Sequence, residues 1–521
     1  MSDHKSHEYE ASTALKQGDI FKAHECFVKA VKKNSKNTFN HSNLGTCYIE
    51  MKQWSKAFEH FQIALELDQK NSGAHTNLSH AYRLIGKMSD AVNHIKKVIE
   101  IEPASRVAHS NLLLYLNYCP EVSPEELFEY HKKWGQRFSA LPDNQLFFSN
   151  YPDPDRPLRI GFISPDFRGH SVGYFIEPAI NHYDKKNLEI FCYAHIPQPD
   201  KTTHSIEKRV YKFHKIHKVD DYTLANQIRS DGIDILVDLA GHTANTRIHV
   251  MTLQPAPIQV TYLGYPTTSG LQQVHYRFTD EIVDPEGESD IFHIEKLVRL
   301  KPHFFCFPPL GNNMLVSQLP AMEKKQICFG GFHNTSKLSE DVIKLWSKVL
   351  IEIPDASLLL QAAAYDDPDI VRYFQTCFEK YGIFKKRLKF IGKLSFDHYL
   401  KLHHNIDIML DTFPWTGHTT SCHALWMGIP ILTIKGNKHS SRIGQCLMNA
   451  LEMPEWIAED YDSFVKKACH FSKEINDLQR IRACLRNRIQ SAKISNRKQY
   501  AQLLENTFRN IWYQWCEEQT K

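Results

Sequence analysis

The chain has 521 residues, 42% hydrophobic and 23% charged, an ordinary soluble balance over more length than one domain uses, so that about three units are expected. Lys and Arg total 63 against 59 Asp and Glu, a formal charge of +4 with no long basic block, which argues against nucleic acid as the main partner. From the polar start MSDHKSHEYE, the lack of any apolar run near about 18 residues, and 12 scattered cysteines without a CxxC pair, no signal peptide, membrane span or disulfide framework is expected, which fits a cytoplasmic chain.

The first hundred or so residues repeat every 34 positions. Leu44, Leu78 and Leu112 share one column, as do Tyr48 and Tyr82, and Ala23, Ala57 and Ala91. Phe27, Phe61 and Ile95 follow the same register, with Ala30, Ala64 and Val98. Small alanines let paired helices approach and the aromatic column fills the gap beside them, the pattern of a tetratricopeptide (TPR) array. The array starts poorly, with Glu10 and Ala14 where Leu and Tyr are expected, and breaks at Cys119-Pro120, because proline cannot continue a helix. Ser-Pro-Glu-Glu at 123–126 opens a helix over 123–141 that caps the array, and YPDPDRPLR (151–159) reads as a stiff linker.

Beyond Pro157, short apolar runs alternate with amphipathic stretches, the signature of parallel α/β sheets. Strands are predicted at 158–164, 188–194, 233–239 and 257–264, then at 326–332, 356–362, 388–392, 407–411 and 430–434. Between strands of the second series run helices such as 339–353 and 369–382. Two such series in tandem predict two Rossmann-like lobes with a cleft, and ligands of such sheets bind beyond the carboxyl ends of the strands.

The loops at those ends are SPDFRGHSVGYF (164–175), AGHTANTR (240–247), GYPTTSG (264–270), FHNTSKLSED (332–341) and TFPWTGHTTSCHALWMG (412–428). In the last, Gly417, His418, Thr419 and Thr420 lead into a helix. Free N–H groups, the positive end of the helix dipole and Thr hydroxyls at such a start make an anion site suited to a diphosphate leaving group, although Thr419 is equally suited to simple capping.

Together the segments ISPDFRGHSVGYF, DILVDLAGHTANTR, PAPIQVTYLGYPTTSG, DTFPWTGHTTSCHALWMGIPILT and SSRIGQCL resemble the O-GlcNAc transferase/SPINDLY family of TPR-bearing glycosyltransferases, over about residues 156–515 and in the family's order, closest to its bacterial and SPINDLY-type branch. The resemblance implies an α/β GT-B fold of two Rossmann-like lobes behind an all-α TPR solenoid. It implies an inverting, metal-independent transfer of a sugar to Ser/Thr of protein acceptors, with N-acetylglucosamine from UDP-GlcNAc as the expected group. GDP-fucose or UDP-glucose is the alternative donor, and a non-catalytic TPR scaffold with a degenerate transferase domain the alternative role. No cofactor is implied. The expected partners are the nucleotide sugar and protein or peptide acceptors guided by the array, with no nucleic acid and no membrane. The sequence agrees on the metal, since no Asp-x-Asp stands at a strand end.

By the same resemblance, His170 is the active-site histidine, orienting acceptor and donor and a candidate general base, and Lys337 contacts the donor diphosphate. His418, Thr419 and Thr420 form the cradle, Asn334 lies near the phosphates, and Gly264, Tyr265 and Pro266 line the sugar pocket. His242 is expected to face the same cleft. Two positions depart from the family: His423 stands where an acid usually accepts ribose hydroxyls, and Tyr399 where some members carry a His beside the base. His423, four residues past Thr419, is expected to point at the nucleotide. The expected layout is 1–119 TPR repeats, 120–156 capping helix and linker, 157–320 first catalytic lobe, 321–492 nucleotide-sugar lobe and 493–521 C-terminal helix.

Overall fold

The computed structural model describes residues 3–139, 148–310 and 314–520; part of the expected linker, 140–147, and the last two positions of the expected capping helix lie outside the described residues. The N-terminal region is a stack of antiparallel helices: Asp3–Gln17 with Ile20–Lys33, Thr38–Glu50 with Trp54–Leu67, Ser72–Leu84 with Met88–Ile101, then Arg106–Leu116. The repeat columns are its core: Ala23, Ala57, Ala91, Phe27, Phe61 and Ile95 are all buried. Gly45 has no room for a Cβ because the Phe61 ring fills that space, which is the large–small complementarity the columns encode. Asn37, Asn71 and Ser105, again 34 apart, each cap the next helix by accepting a backbone N–H three residues on. The poorly matching first pair buries Ala14, in the column where Tyr is expected, together with Ala11.

Two parallel sheets follow. The first contains β1 (Leu158–Ser164), β2 (Leu188–Ala194), β3 (Lys212–Lys215), β4 (Ile235–Asp238), β5 (Ile258–Thr261), β6 (Tyr276–Thr279) and β7 (Lys296–Arg299), in the order β3-β2-β1-β4-β5-β6-β7. The second contains β8 (Cys328–Gly331), β9 (Ser357–Gln361), β10 (Leu388–Ile391), β11 (Ile408–Leu410), β12 (Ile431–Ile434) and β13 (Ile457–Ala458), in the order β10-β9-β8-β11-β12-β13. In both, the order reverses beside the first strand, the switch point where α/β sheets bind ligands. The C-terminal helix Arg497–Gln519 crosses back to the first lobe, where Phe508 packs on Phe162 and Phe278, and Trp512 donates to the Asp153 carbonyl at 2.9 Å.

The array rests on both lobes. The capping helix Pro124–Phe138, opened by a Ser123/Glu126 capping box, lies on the first lobe with Gly135 directly against the Gly270 carbonyl and Gly270, at φ +78°, against that of His131. On the second lobe, the Trp54 and Ser55 N–H groups donate to Asp367 at 2.6 Å and Asp369 at 3.2 Å, and Gly86 passes over the Leu338 carbonyl.

Buried neutral histidines run through these contacts. His131, on the buried side of the capping helix, and His249, beside that helix, are each held down at about 4 by burial. A folded pKa below the unfolded value of 6.5 gives stability that is fully present above pH 6.5 and lost as pH falls toward 4, at about 1.4 kcal/mol per unit for each group. The melting temperature, followed by circular dichroism, is expected to fall steadily from pH 6.5 to 4; a flat profile would show that these rings are not neutral in the fold.

Candidate functional site: two helix starts facing a buried lysine

Between the lobes lies a cavity of about 370 Å³ whose walls include His170, Gly264, Tyr265, Pro266, Asn334, Lys337, His418, Thr419 and Thr420. It brings together nine of the twelve residues expected at the site and leaves out His242, Tyr399 and His423.

Two helices begin at this cavity, one from each lobe. Ser171–His182 follows β1 and Thr419–Trp426 follows β11. The Thr419 hydroxyl donates to Ser171 Oγ at 2.7 Å, so the two starts touch across the interlobe boundary. Each start carries backbone N–H groups with no intrahelical acceptor and a partial positive charge, so an anion placed here meets two dipoles. The loop before the second helix is shaped by Asp411, just after β11, which accepts from the Gly417 N–H at 2.7 Å and from Thr433 at 2.8 Å. Gly417 itself has no space for a side chain beside Ser421.

Lys337 supplies the formal charge. It ends a short turn, Thr335–Lys337, that follows β8, and Nζ donates to the Thr416 carbonyl at 2.7 Å, on the loop that opens the helix. Burial pushes its pKa down to about 8, and the nearby Asp411 carboxylate works in the other direction. Asn334 opens the same turn, with Oδ1 accepting from the Ser336 N–H and hydroxyl, so its NH₂ group supplies the remaining donors. His418 is stacked on Phe175 at 4.3 Å and meets Phe305 edge-on at 4.4 Å. Burial, with His439 and Lys337 nearby, pushes it down to about 3, so it is neutral; Nε2 has no partner among the described residues.

His170 caps the first helix by accepting the Val172 N–H on Nδ1 at 3.3 Å, with Asp166 3.5 Å away. Burial lowers its pKa against the pull of Asp166, and the neutral ring then keeps its proton on Nε2. The nitrogen able to take a proton faces Val172 and Asp166, which fits a hydrogen-bond donor better than the general base the sequence suggests.

Other expectations need correcting. His242 does not face the cleft: it is fully buried, its Nε2 donating to the Ser269 carbonyl at 2.9 Å and its Nδ1 lying 3.3 Å from the Ser110 hydroxyl, so it ties the array to the first lobe. The Tyr265 ring lines the cavity, but its hydroxyl is engaged by His131 Nε2 at 2.7 Å and Asn117 at 3.2 Å. Gly264 is small because the Leu239 carbonyl fills the Cβ position, not because a ligand approaches. His423 packs edge-on against Phe396 and Tyr399 and is held neutral, at about 4, by burial; its helical spacing from Thr419 does not bring it to the cavity. Tyr399 belongs to that same aromatic cluster and to none of the cavity's walls.

Sequence reasoning missed two residues. His333 lines the cavity, donates from Nε2 to the Leu410 carbonyl at 2.9 Å and leaves Nδ1 as a buried acceptor with no partner among the described residues. His439 pairs with Asp284 across the lobes at 2.7 Å. Only the segment SSRIGQCL, which begins at the next residue, hinted at the second.

Comparison with known proteins agrees with this architecture. The profile of glycosyl transferase family 41 matches residues 139–314 and 312–504, and that of the tetratricopeptide repeat residues 72–105. A protein of Arabidopsis thaliana named "Probable UDP-N-acetylglucosamine--peptide N-acetylglucosaminyltransferase SPINDLY" is 34% identical over 78% of this chain and 45% of its own length. A second from that plant, the transferase named SEC, is 26% identical over 70% of the chain and 38% of its own length. The chain thus spans a little under half the length of these curated relatives. A solved structure, that of a mutant of Thermobaculum terrenum O-GlcNAc transferase, superposes with a TM-score of 0.89 at 28% identity, covering 99% of this chain and 98% of that one. With its helical repeats, two Rossmann-like lobes and family segments in order, this chain belongs to glycosyl transferase family 41.

Proposed function

We propose that the chain is an inverting protein O-glycosyltransferase that moves a sugar, N-acetylglucosamine from UDP-GlcNAc, to Ser/Thr hydroxyls. The observation that carries this reading is the meeting of two helix starts beside Lys337. Breaking a glycosidic bond to a diphosphate leaves charge on the departing oxygens, and fixed dipoles with a buried ammonium stabilise that charge without reorganising. Among the described residues none that lines the cavity is a carboxylate, which supports a reading without a divalent cation held by protein oxygens. His170, through Nε2–H, and His418 orient donor and acceptor, and Thr419, Thr420 and Asn334 bind the diphosphate. The choice of N-acetylglucosamine follows the names of the relatives.

The test is a panel of UDP-GlcNAc, UDP-glucose and GDP-fucose in EDTA, read as donor hydrolysis and as transfer to protein. Turnover of UDP-GlcNAc is expected to exceed the others and to survive the chelator. Turnover of GDP-fucose alone would replace the donor, activity lost in EDTA would overturn metal independence, and no turnover of any donor would leave the scaffold reading.

A further inference from the structure

Three residues from distant parts of the chain meet behind the wall of the interlobe cavity. Asp280 stands just after β6, His303 in the segment after β7, and Cys446 on the helix His439–Ala450 of the second lobe. Their potential ligand atoms all lie within 4.8 Å of one another. Cys446 Sγ is 3.6 Å from Asp280 Oδ2 and 3.7 Å from His303 Nδ1. Asp280 and Cys446 are buried and His303 is partly exposed. The carboxylate is held in place by the backbone: Oδ1 accepts the Ile282 and Val283 N–H groups at 2.9 and 3.0 Å, and Oδ2 accepts the Phe304 N–H at 3.0 Å. None of the three residues lines the interlobe cavity, but Phe304 and Ile443 do, so the cluster backs onto its wall.

We propose that Asp280, His303 and Cys446 bind one divalent transition-metal ion, best matched by Zn²⁺, which pins the second lobe to the first behind the cavity. One sulfur, one imidazole nitrogen and one carboxylate oxygen form a donor set that suits Zn²⁺ and not Mg²⁺ or Ca²⁺. With Zn–S near about 2.3 Å and Zn–N or Zn–O near about 2.0–2.1 Å, the tetrahedron edges that meet at sulfur are about 3.5 Å, close to the two separations at Cys446. The remaining pair, Asp280 and His303, includes the partly exposed member, which has room to close the third edge and gives the ion a route in from solvent. The backbone N–H groups on Asp280 act as outer partners that aim its oxygens. Without a cation, burial and then the Asp280 carboxylate hold the Cys446 thiol well above its ordinary value, and it donates to Asp280. The ion takes the place of that proton, which leaves to solvent, and thiolate and carboxylate together balance its charge. The same helix already crosses to the first lobe through His439 and Asp284 at 2.7 Å, and the ion makes a second crossing further along it. Its effect is on stability and not on sugar transfer, so turnover that survives EDTA is compatible with it.

The experiment uses the full chain, stripped with EDTA and returned to metal-free buffer with a thiol-free reductant, as wild type, Cys446→Ser and His303→Gln. Co²⁺ is the spectroscopic probe and Zn²⁺ its competitor. One equivalent of Co²⁺ is expected to give wild type the visible bands of tetrahedral cobalt and a thiolate-to-cobalt charge-transfer band, both bleached by one equivalent of Zn²⁺. Zn²⁺ should also raise the wild-type melting temperature by about 3 °C. Cys446→Ser should lose the charge-transfer band, and His303→Gln should bind Co²⁺ about tenfold or more weakly, since even outer partners of a metal are worth that much. The chain has 29 His, and ions held adventitiously by those rings give no thiolate band and bind the variants as they bind wild type. A wild type without the band, or a folded Cys446→Ser that keeps it, overturns the site and leaves a hydrogen-bonded trio. Where Cys446→Ser fails to fold, wild-type Co²⁺ affinity in His303→Gln overturns it instead. No donor is present in the assay, so its outcome is separate from that of the nucleotide-sugar reading.

Discussion

Replacing Lys337 with Ala is expected to lower turnover about 10²–10³-fold, the usual loss when one preorganised transition-state donor is removed. The size follows from the surroundings: Nζ is buried, bonded to the Thr416 carbonyl and set against the start of the helix Thr419–Trp426. Because burial holds the amine at about 8, the proton needed for leaving-group stabilisation is present below that pH and lost above it. Wild-type kcat/KM should therefore decline as pH rises through about 8, and the residual rate of Lys337→Ala should lack that limb. Equal turnover in a folded Lys337→Ala protein, judged by an unchanged circular dichroism spectrum, would remove Lys337 from the reaction.

Gly135→Leu should destabilise the protein by about 3 kcal/mol, at the upper end of overpacking costs, because the obstacle is backbone and not a side chain able to swing away. A Cβ at 135 overlaps the Gly270 carbonyl, and Gly270 is itself pressed on the His131 carbonyl. The capping helix must lift, and with it go the His131–Tyr265 hydrogen bond and the edge contact of Trp134 with His242. Urea unfolding would read the change; a midpoint equal to wild type would mean that the helix does not dock through these glycines.

What could be read from the sequence depended on how locally each feature is encoded. β1 and β2 run over the residues expected, because both are buried at all but their second position and so appear as apolar runs interrupted by a charge only at Arg159 and Glu189. β3 was hidden because it is an edge strand, Lys-Phe-His-Lys, with exposed lysines at both ends. β13 has two residues and no periodicity to detect. The cradle Gly417-His418-Thr419-Thr420 was legible because a helix start is written in consecutive residues. The direction of His423 was not: helical spacing gives a face, and the nest formed by Phe396 and Tyr399 decides what that face meets. His242 with Ser110, and Arg83 with Ser336, bond across the contact between array and lobes, which no single segment encodes.

The return of the helix Arg497–Gln519 to the first lobe has a consequence for how the chain is made. Phe162 and Phe278, on strands that leave the ribosome some two hundred residues or more before it, have Phe508 as a packing partner. At about 5–20 residues per second of synthesis, the apolar side of that lobe stays uncovered for roughly 10 s or more, a time in which nascent chains can associate wrongly. The Tyr262–Tyr500 hydroxyl contact is formed only after the whole second lobe has emerged. Cutting the gene between the sheets would therefore part the first lobe from the helix that packs on it, whose buried side carries Phe508, Ile511 and Trp512.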